Sequence, residues 1–254
     1  MNDVNVEHRG DATWIRLNRP ERRNAFDPGM SRAMVEALDG ATASRAVVIT
    51  GSAGSFCAGG ALTSLAHPTE PEMRAMYENS LRLFDAIRRC PRPVIAAVNG
   101  AAAGGGNELV VACDLAIAAR SATFGQTGPR VGSAPVTGAT NVMGLQVGEK
   151  RAKEISMLCR RYSADQALQL GLVNAVVDDD RLEDEVDSWV AELSLLSARY
   201  LEITKVSSNV WWNAARDSFS TGLGMLIQAV GSQDMVEGAN AFLEKRRPSF
   251  PPPQ

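Results

Sequence analysis

Residues 93–132 read PVIAAVNGAAAGGGNELVVACDLAIAARSATFGQTGPRVG. The stretch opens on a short apolar run, Val94 to Val98, with the character of a buried strand. It turns through Asn99–Gly100 and reaches three successive glycines, Gly104, Gly105 and Gly106, and a helix is predicted to follow at once with Glu108 in its first turn. Glycine lets the main chain approach a bound group closely. The first N–H groups of a helix have no partner inside the helix. Such a turn can therefore aim backbone N–H groups at developing negative charge, with a carboxylate two residues further on. Residues 46–60, AVVITGSAGSFCAGG, repeat the pattern of strand, loop and small residues, ending in Gly59–Gly60. Two such loops could each give one N–H to a single oxygen, an arrangement suited to the enolate of a thioester.

Working outward, residues 4–9 and 12–18 alternate apolar and polar about Gly10–Asp11, which predicts a β-hairpin. Asp27 precedes Pro28 as a helix cap, with Met30, Met34 and Leu38 forming one face. Thr69 and Glu72 form a capping box that opens a helix to about Arg89. The stripe Met73, Met76/Tyr77, Ser80/Leu81, Phe84 and Ile87 along that helix reads as plain core, and His67 before it as exposed loop. Short strands are expected at 114–118 and 122–124. Ser163 and Gln166 form a second capping box, and Gly171 closes that helix before the strand-like LVNAVV. Residues 181–196 and 197–247 read as helices, with Gly222, Gly224 and Gly231 as expected breaks and a mobile PPPQ end. Short apolar strands alternating with helices predict an α/β fold.

Composition narrows the function class. The 254 residues suffice for one large domain, and a net charge of −3 gives no general nucleic-acid or membrane surface. No apolar run reaches the length of a membrane span, and the first ten residues lack the apolar core of a secretory leader, so a cytoplasmic protein is expected. Cys57, Cys90, Cys113 and Cys159 have no metal-ligand spacing and read as reduced, buried thiols. With only His8 and His67 in the chain, a histidine-based triad or metal site is not expected.

The ordered motifs FCAGGAL (56–62), VNGAAAGGGNELVVACDLAIAA and FGQTGPRVG, with KRAKEISMLCRRYSADQALQLGLVNAVV and NAFLEKRRPSF further on, resemble the crotonase (enoyl-CoA hydratase/isomerase) superfamily over nearly the whole chain. RRYSADQALQLGLVN and GQTGPRVGS resemble most the 1,4-dihydroxy-2-naphthoyl-CoA synthase branch and its ring-cleaving relatives. The resemblance implies a crotonase-like spiral of ββα turns over residues 1–195 that binds CoA thioesters, and a helical oligomerisation region over 196–254. It implies a trimer or a dimer of trimers, an acyl-CoA substrate, and no tightly bound cofactor. It also implies Glu108 as general acid/base and Gly60 and Gly105 as the two oxyanion donors. CoA or substrate contacts are implied for Arg23, Ala58, Gly59, Leu62, Gln126, Gly128 and Ser133, and for Lys245 toward a neighbour's CoA.

Departures from the family pattern shape the reading. Hydratases carry a second Glu where this chain has Gly128; Gly128→Glu restores the hydratase pattern, and whether hydration then rises or stays flat separates hydration from ring chemistry. The Asp common after the first glycine loop is Ala61 here. In the naphthoyl-CoA synthase branch Gln126, Thr127 and Gly128 fit a bicarbonate-holding motif and Ser133 its serine. However, the Trp completing that pocket is Ser156, the Asp after the serine is Pro135, and the C-terminal Tyr falls near Val230. Glu108 is not the residue that branch uses there. The expected function is an acyl-CoA enzyme stabilising a thioester enolate, foremost hydration of a 2-enoyl-CoA. The alternatives are ring-closing or ring-opening carbon–carbon chemistry on a β-keto or cyclic acyl-CoA, and a non-catalytic crotonase-fold binding protein.

Overall fold

The computed structural model describes residues 3–61 and 69–252. Leu62 and His67 fall outside the described residues. Among the described residues nine strands form two sheets: β1 (Val4–Arg9), β2 (Ala12–Leu17), β3 (Ala46–Gly51), β4 (Val94–Val98), β5 (Ala101–Ala103), β6 (Leu115–Ala119), β7 (Thr123–Gly125), β8 (Tyr162–Ser163) and β9 (Ala175–Val177). The larger sheet runs β1-β2-β3-β4-β6-β9, and the smaller runs β5-β7-β8. Only the hairpin pair β1–β2 is antiparallel in the larger sheet. A parallel sheet is covered on both faces, so its strands read as unbroken apolar runs. Accordingly all six residues of β3 and all five of β4 are buried.

Alternate residues supply two cores. Trp14, Val48, Ile95 and Ile117 face α7 (Leu182–Ser194), meeting Leu182, Val186 and Val190. Ile15, Val47, Ile49, Val94, Ala96 and Val98 point the other way, into the main core. There α1 (Pro28–Gly40), α2 (Glu70–Arg89) and α3 (Gly105–Ala112) contribute Met30, Met34, Leu83, Phe84 and Leu109. The helix starts follow the capping chemistry of the sequence. Asp27 accepts from the Met30 N–H at 2.9 Å, the Thr69 N–H donates to Glu72 at 2.9 Å, and Ser163 accepts from the Gln166 N–H at 3.2 Å. Gly171 ends that helix in the left-handed region, as expected.

Beyond the second sheet come α4 (Met143–Val147), α5 (Glu149–Leu158), α6 (Ala164–Leu170) and, after α7, α8 (Ala198–Ser208), α9 (Val210–Ala214), α10 (Arg216–Gln228) and α11 (Gln233–Leu243). Two expected breaks are corrected: Gly222 and Gly224 lie inside α10, and the chain instead turns at Asn209 and Ala215. Gly222 serves contact, since a Cβ there would stand 3.0 Å from that of Val136. Gly231 does separate α10 from α11. These helices pack on the same core through Trp212 and Phe219, and the buried Lys205 bonds the carboxylate of Asp114 at 2.7 Å.

Candidate active site

Three loops are stitched together at the end of the large sheet. The Cys57 N–H donates to the Ala101 carbonyl and the Ala103 N–H returns to Cys57, both at 3.0 Å. The 23–26 segment joins them: Ala58 N–H to Arg23 carbonyl at 3.0 Å, Phe26 N–H to Gly59 carbonyl at 2.9 Å, and Ala61 N–H to Phe26 carbonyl at 3.0 Å. The Gly104 N–H donates to the Gly125 carbonyl at 2.9 Å, which ties in β7. Small residues make this closeness possible. A Cβ on Gly106 would lie 2.0 Å from the Cys57 carbonyl oxygen. Gly59 has φ +93°, and a Cβ there would lie 2.8 Å from the nitrogen of Gly105.

The stitching leaves two N–H groups over. Among the described residues, neither the Gly60 nor the Gly105 N–H donates to a main-chain carbonyl. Gly105 is the first residue of α3, where the helix offers it no acceptor. A Cβ on Gly105 would stand 3.3 Å from the Gly60 nitrogen, which shows how near the two loops come.

Glu108, one turn into α3, is buried. Its Oε1 accepts from the Thr137 N–H at 2.9 Å and the Ala139 N–H at 3.2 Å, and its Oε2 accepts from the Thr137 hydroxyl at 2.9 Å. Loss of water around the carboxylate pushes its pKa up to about 7, against the opposing pull of those three hydrogen bonds. A carboxyl that titrates near neutrality can take and give protons there.

Gly60, Gly105, Glu108, Ala58, Gln126, Gly128 and Ser133 all line one pocket of about 590 Å³, part of it open to solvent. Gly59 stands behind it in the stitched loops. Arg23 is exposed and touches the site through its carbonyl, while Lys245 is exposed after α11 and does not line this pocket. Met76, Tyr77 and Ser80, read from the sequence as core, line it too; Met73, Phe84 and Ile87 of the same stripe are core. The Tyr77 hydroxyl lies 2.6 Å from the Ser133 Oγ. Thr137, Phe26, Val131 and Ala134 also line it and were missed by sequence reasoning. A capping threonine across 29 positions leaves no local pattern to find.

The surroundings of Gly128 are tight. A Cβ there would stand 2.9 Å from the Ser133 carbonyl oxygen, 3.0 Å from the Ala134 Cα and 3.1 Å from the Pro135 Cδ. The 133–135 segment thus stands where a side chain at 128 would begin, and a glutamate there requires that segment to shift. Ser156, at the position of the Trp wall of a bicarbonate site, lies buried on α5 and is not among the pocket's lining residues. That wall is missing, while Gln126, Thr127 and Gly128 of the same motif line the pocket. All four cysteines are free and buried. Among the described residues no His/Cys/Asp/Glu group could hold a metal, and no helix is long and apolar enough to cross a membrane.

An enoyl-CoA hydratase from Mycobacterium avium subsp. paratuberculosis K-10 is 29% identical, the match covering 98% of this chain and 99% of that one, with a TM-score of 0.85. An enoyl-CoA hydratase from Bacillus anthracis is also 29% identical over 98% and 99% of the two chains, with a TM-score of 0.79. One from Bacillus halodurans, 20% identical over 94% and 100%, shares the fold with a TM-score of 0.87. The family model described as enoyl-CoA hydratase/isomerase matches residues 8–252. With the ordered glycine loops and the crotonase arrangement of sheets and helices, that match over nearly the full length means that this chain belongs to the enoyl-CoA hydratase/isomerase family.

Proposed function

We propose that the protein hydrates a 2-enoyl-CoA to a 3-hydroxyacyl-CoA with one carboxylate. The observation that carries this is the buried Glu108 in the same pocket as the two spare N–H groups of Gly60 and Gly105. The thioester carbonyl accepts from both N–H groups, which stabilise negative charge as the enolate forms. Oε1 of Glu108 is fully engaged by two backbone donors, so Oε2, with one hydrogen bond, is the oxygen that exchanges the proton. It takes a proton from water as the water oxygen bonds to C3, and the resulting carboxylic acid gives that proton to C2. The product gains one water, and Glu108 returns to its starting form.

A second reading, carbon–carbon chemistry on a β-keto or cyclic acyl-CoA, is favoured by two observations. A side chain at the place of the second acid would begin where 133–135 stands, and the Tyr77–Ser133 hydroxyl pair adds polarity to the pocket. Glu108→Gln keeps the shape but cannot take a proton. On the hydratase reading, crotonyl-CoA hydration falls by about 10²–10⁴ with CoA-thioester affinity nearly unchanged. Wild-type protein inert on crotonyl-CoA but active on a cyclic β-keto acyl-CoA would replace the first reading with the second. Loss of stability with turnover of the folded variant intact would leave Glu108 as a structural residue only.

A further inference from the structure

Gln126 follows β7 directly, where the Gly104 N–H holds the Gly125 carbonyl. Its side chain is 1% exposed and lines the acyl pocket. Neither its amide nitrogen nor its amide oxygen has a hydrogen-bond partner among the described residues. A buried amide in that state is unfavourable, and native proteins leave few of them. The same pocket holds the Tyr77 and Ser133 hydroxyls 2.6 Å apart, and a hydroxyl pair at that distance can still offer a lone pair to a third group. Around them the walls are apolar: Phe26, Met76, Val131 and Pro135. A plain hydrocarbon acyl chain would satisfy those walls and leave the Gln126 amide unpaired at both ends.

We propose that the acyl group this pocket is built for carries a hydroxyl beyond the thioester, received by the Gln126 amide, with the Tyr77–Ser133 hydroxyl pair lining the same pocket. A hydroxyl, like a water, can accept from the amide N–H₂ and donate to the amide oxygen. A keto oxygen answers only the nitrogen. This assignment rests on the acyl-CoA reading of the pocket and makes Gln126 a specificity residue. The proton transfer stays with Glu108.

Benzoyl-CoA and its three monohydroxy isomers are rigid probes with no 2,3-double bond to hydrate, so they report binding apart from turnover. Their dissociation constants are measured calorimetrically for the wild type and for Gln126→Leu, which keeps bulk and removes both polar atoms. At least one hydroxybenzoyl-CoA is expected to bind the wild type roughly 10- to 100-fold more tightly than benzoyl-CoA. In Gln126→Leu that preference vanishes, benzoyl-CoA binds at least as well as before, and the unliganded variant melts no lower. Equal binding of all four by the wild type overturns the proposal and leaves the acyl-CoA reading standing, as does a preference that survives in Gln126→Leu. If none of the four binds while crotonyl-CoA does, the proposal alone falls; if crotonyl-CoA fails to bind as well, both fall. Sodium bicarbonate alone raising the melting temperature of the wild type but not of Gln126→Leu would assign the amide to a small anion and likewise overturn the proposal.

Discussion

Thr137 holds both oxygens of Glu108, one through its N–H and one through its hydroxyl. Thr137→Val removes the hydroxyl donor and keeps the volume. A hydrogen bond to the charged form lowers a carboxyl pKa, so its loss moves Glu108 further up from about 7. If Glu108 is the base, the rise of kcat/KM with pH shifts to higher pH by roughly one unit in Thr137→Val. A pH–rate profile checks this, and an unmoved limb would separate Thr137 from the proton transfer. Stability follows the same titration. The folded pKa, about 7, lies above the ordinary 4.5, so between those values the folded chain keeps a proton that the unfolded chain has released. The contribution of Glu108 is thus fully present below pH 4.5, declines as pH rises to about 7 and is level above it, a loss on the order of 3 kcal/mol. Urea unfolding of the wild type against Glu108→Gln from pH 4 to 8 should show that slope in the wild type only.

At the scale of elements, the 133–135 segment lies against Gly128. Gly128→Glu is therefore expected to push that segment out and to lower stability by roughly 1–3 kcal/mol. It should leave crotonyl-CoA hydration flat or reduced; a sharp rise in a protein of unchanged melting temperature would show that the segment yields. The strands and helix starts that bear the site were legible because they rest on local chemistry. Val94–Val98 is buried on both faces, and Asp27, Thr69 and Ser163 cap the helices their neighbours predict. What stayed hidden depends on long-range approach. β5 is three alanines that pair only because Cys57 and β7 come beside them. Tyr77 shares its helical stripe with true core residues and turns to Ser133, 56 positions away. Gly222 breaks no helix because Val136, far off in sequence, sets the need for glycine. The glycines of both loops and Glu108 could be named from the sequence; Thr137 could not.

For the whole molecule, α8 and α9 present a run of exposed apolar side chains, including Tyr200 at 69% and Trp211 at 62% exposure, with Ile203, Val206 and Val210 between them. A patch of that size on a subunit whose helices already share the main core fits burial against further copies of the chain. The proposed assembly is a trimer or a dimer of trimers. Light scattering at working concentration should give a multiple of three subunits, and Tyr200→Glu with Trp211→Glu should shift the population toward the 27.1 kDa single chain. A wild-type monomer would overturn the assembly. A double variant that stays fully associated would place the interface elsewhere.

The stitched loops of the site have a bearing on how adaptable it can be. Their rungs run from main chain to main chain, so the two spare N–H groups are set by the same ladder that holds β5 and Cys57. On the proposed reading, no reorganisation precedes catalysis: the donors stand ready before a thioester arrives. Because the rungs are main-chain bonds, side chains of the pocket outside these glycine loops do not set the two N–H groups, so on that reading substitutions that retune the acyl pocket can change which substrate is taken while the polarisation of its carbonyl stays constant. Selectivity and reactivity would thereby sit on separate parts of the chain, and one could drift while the other is held.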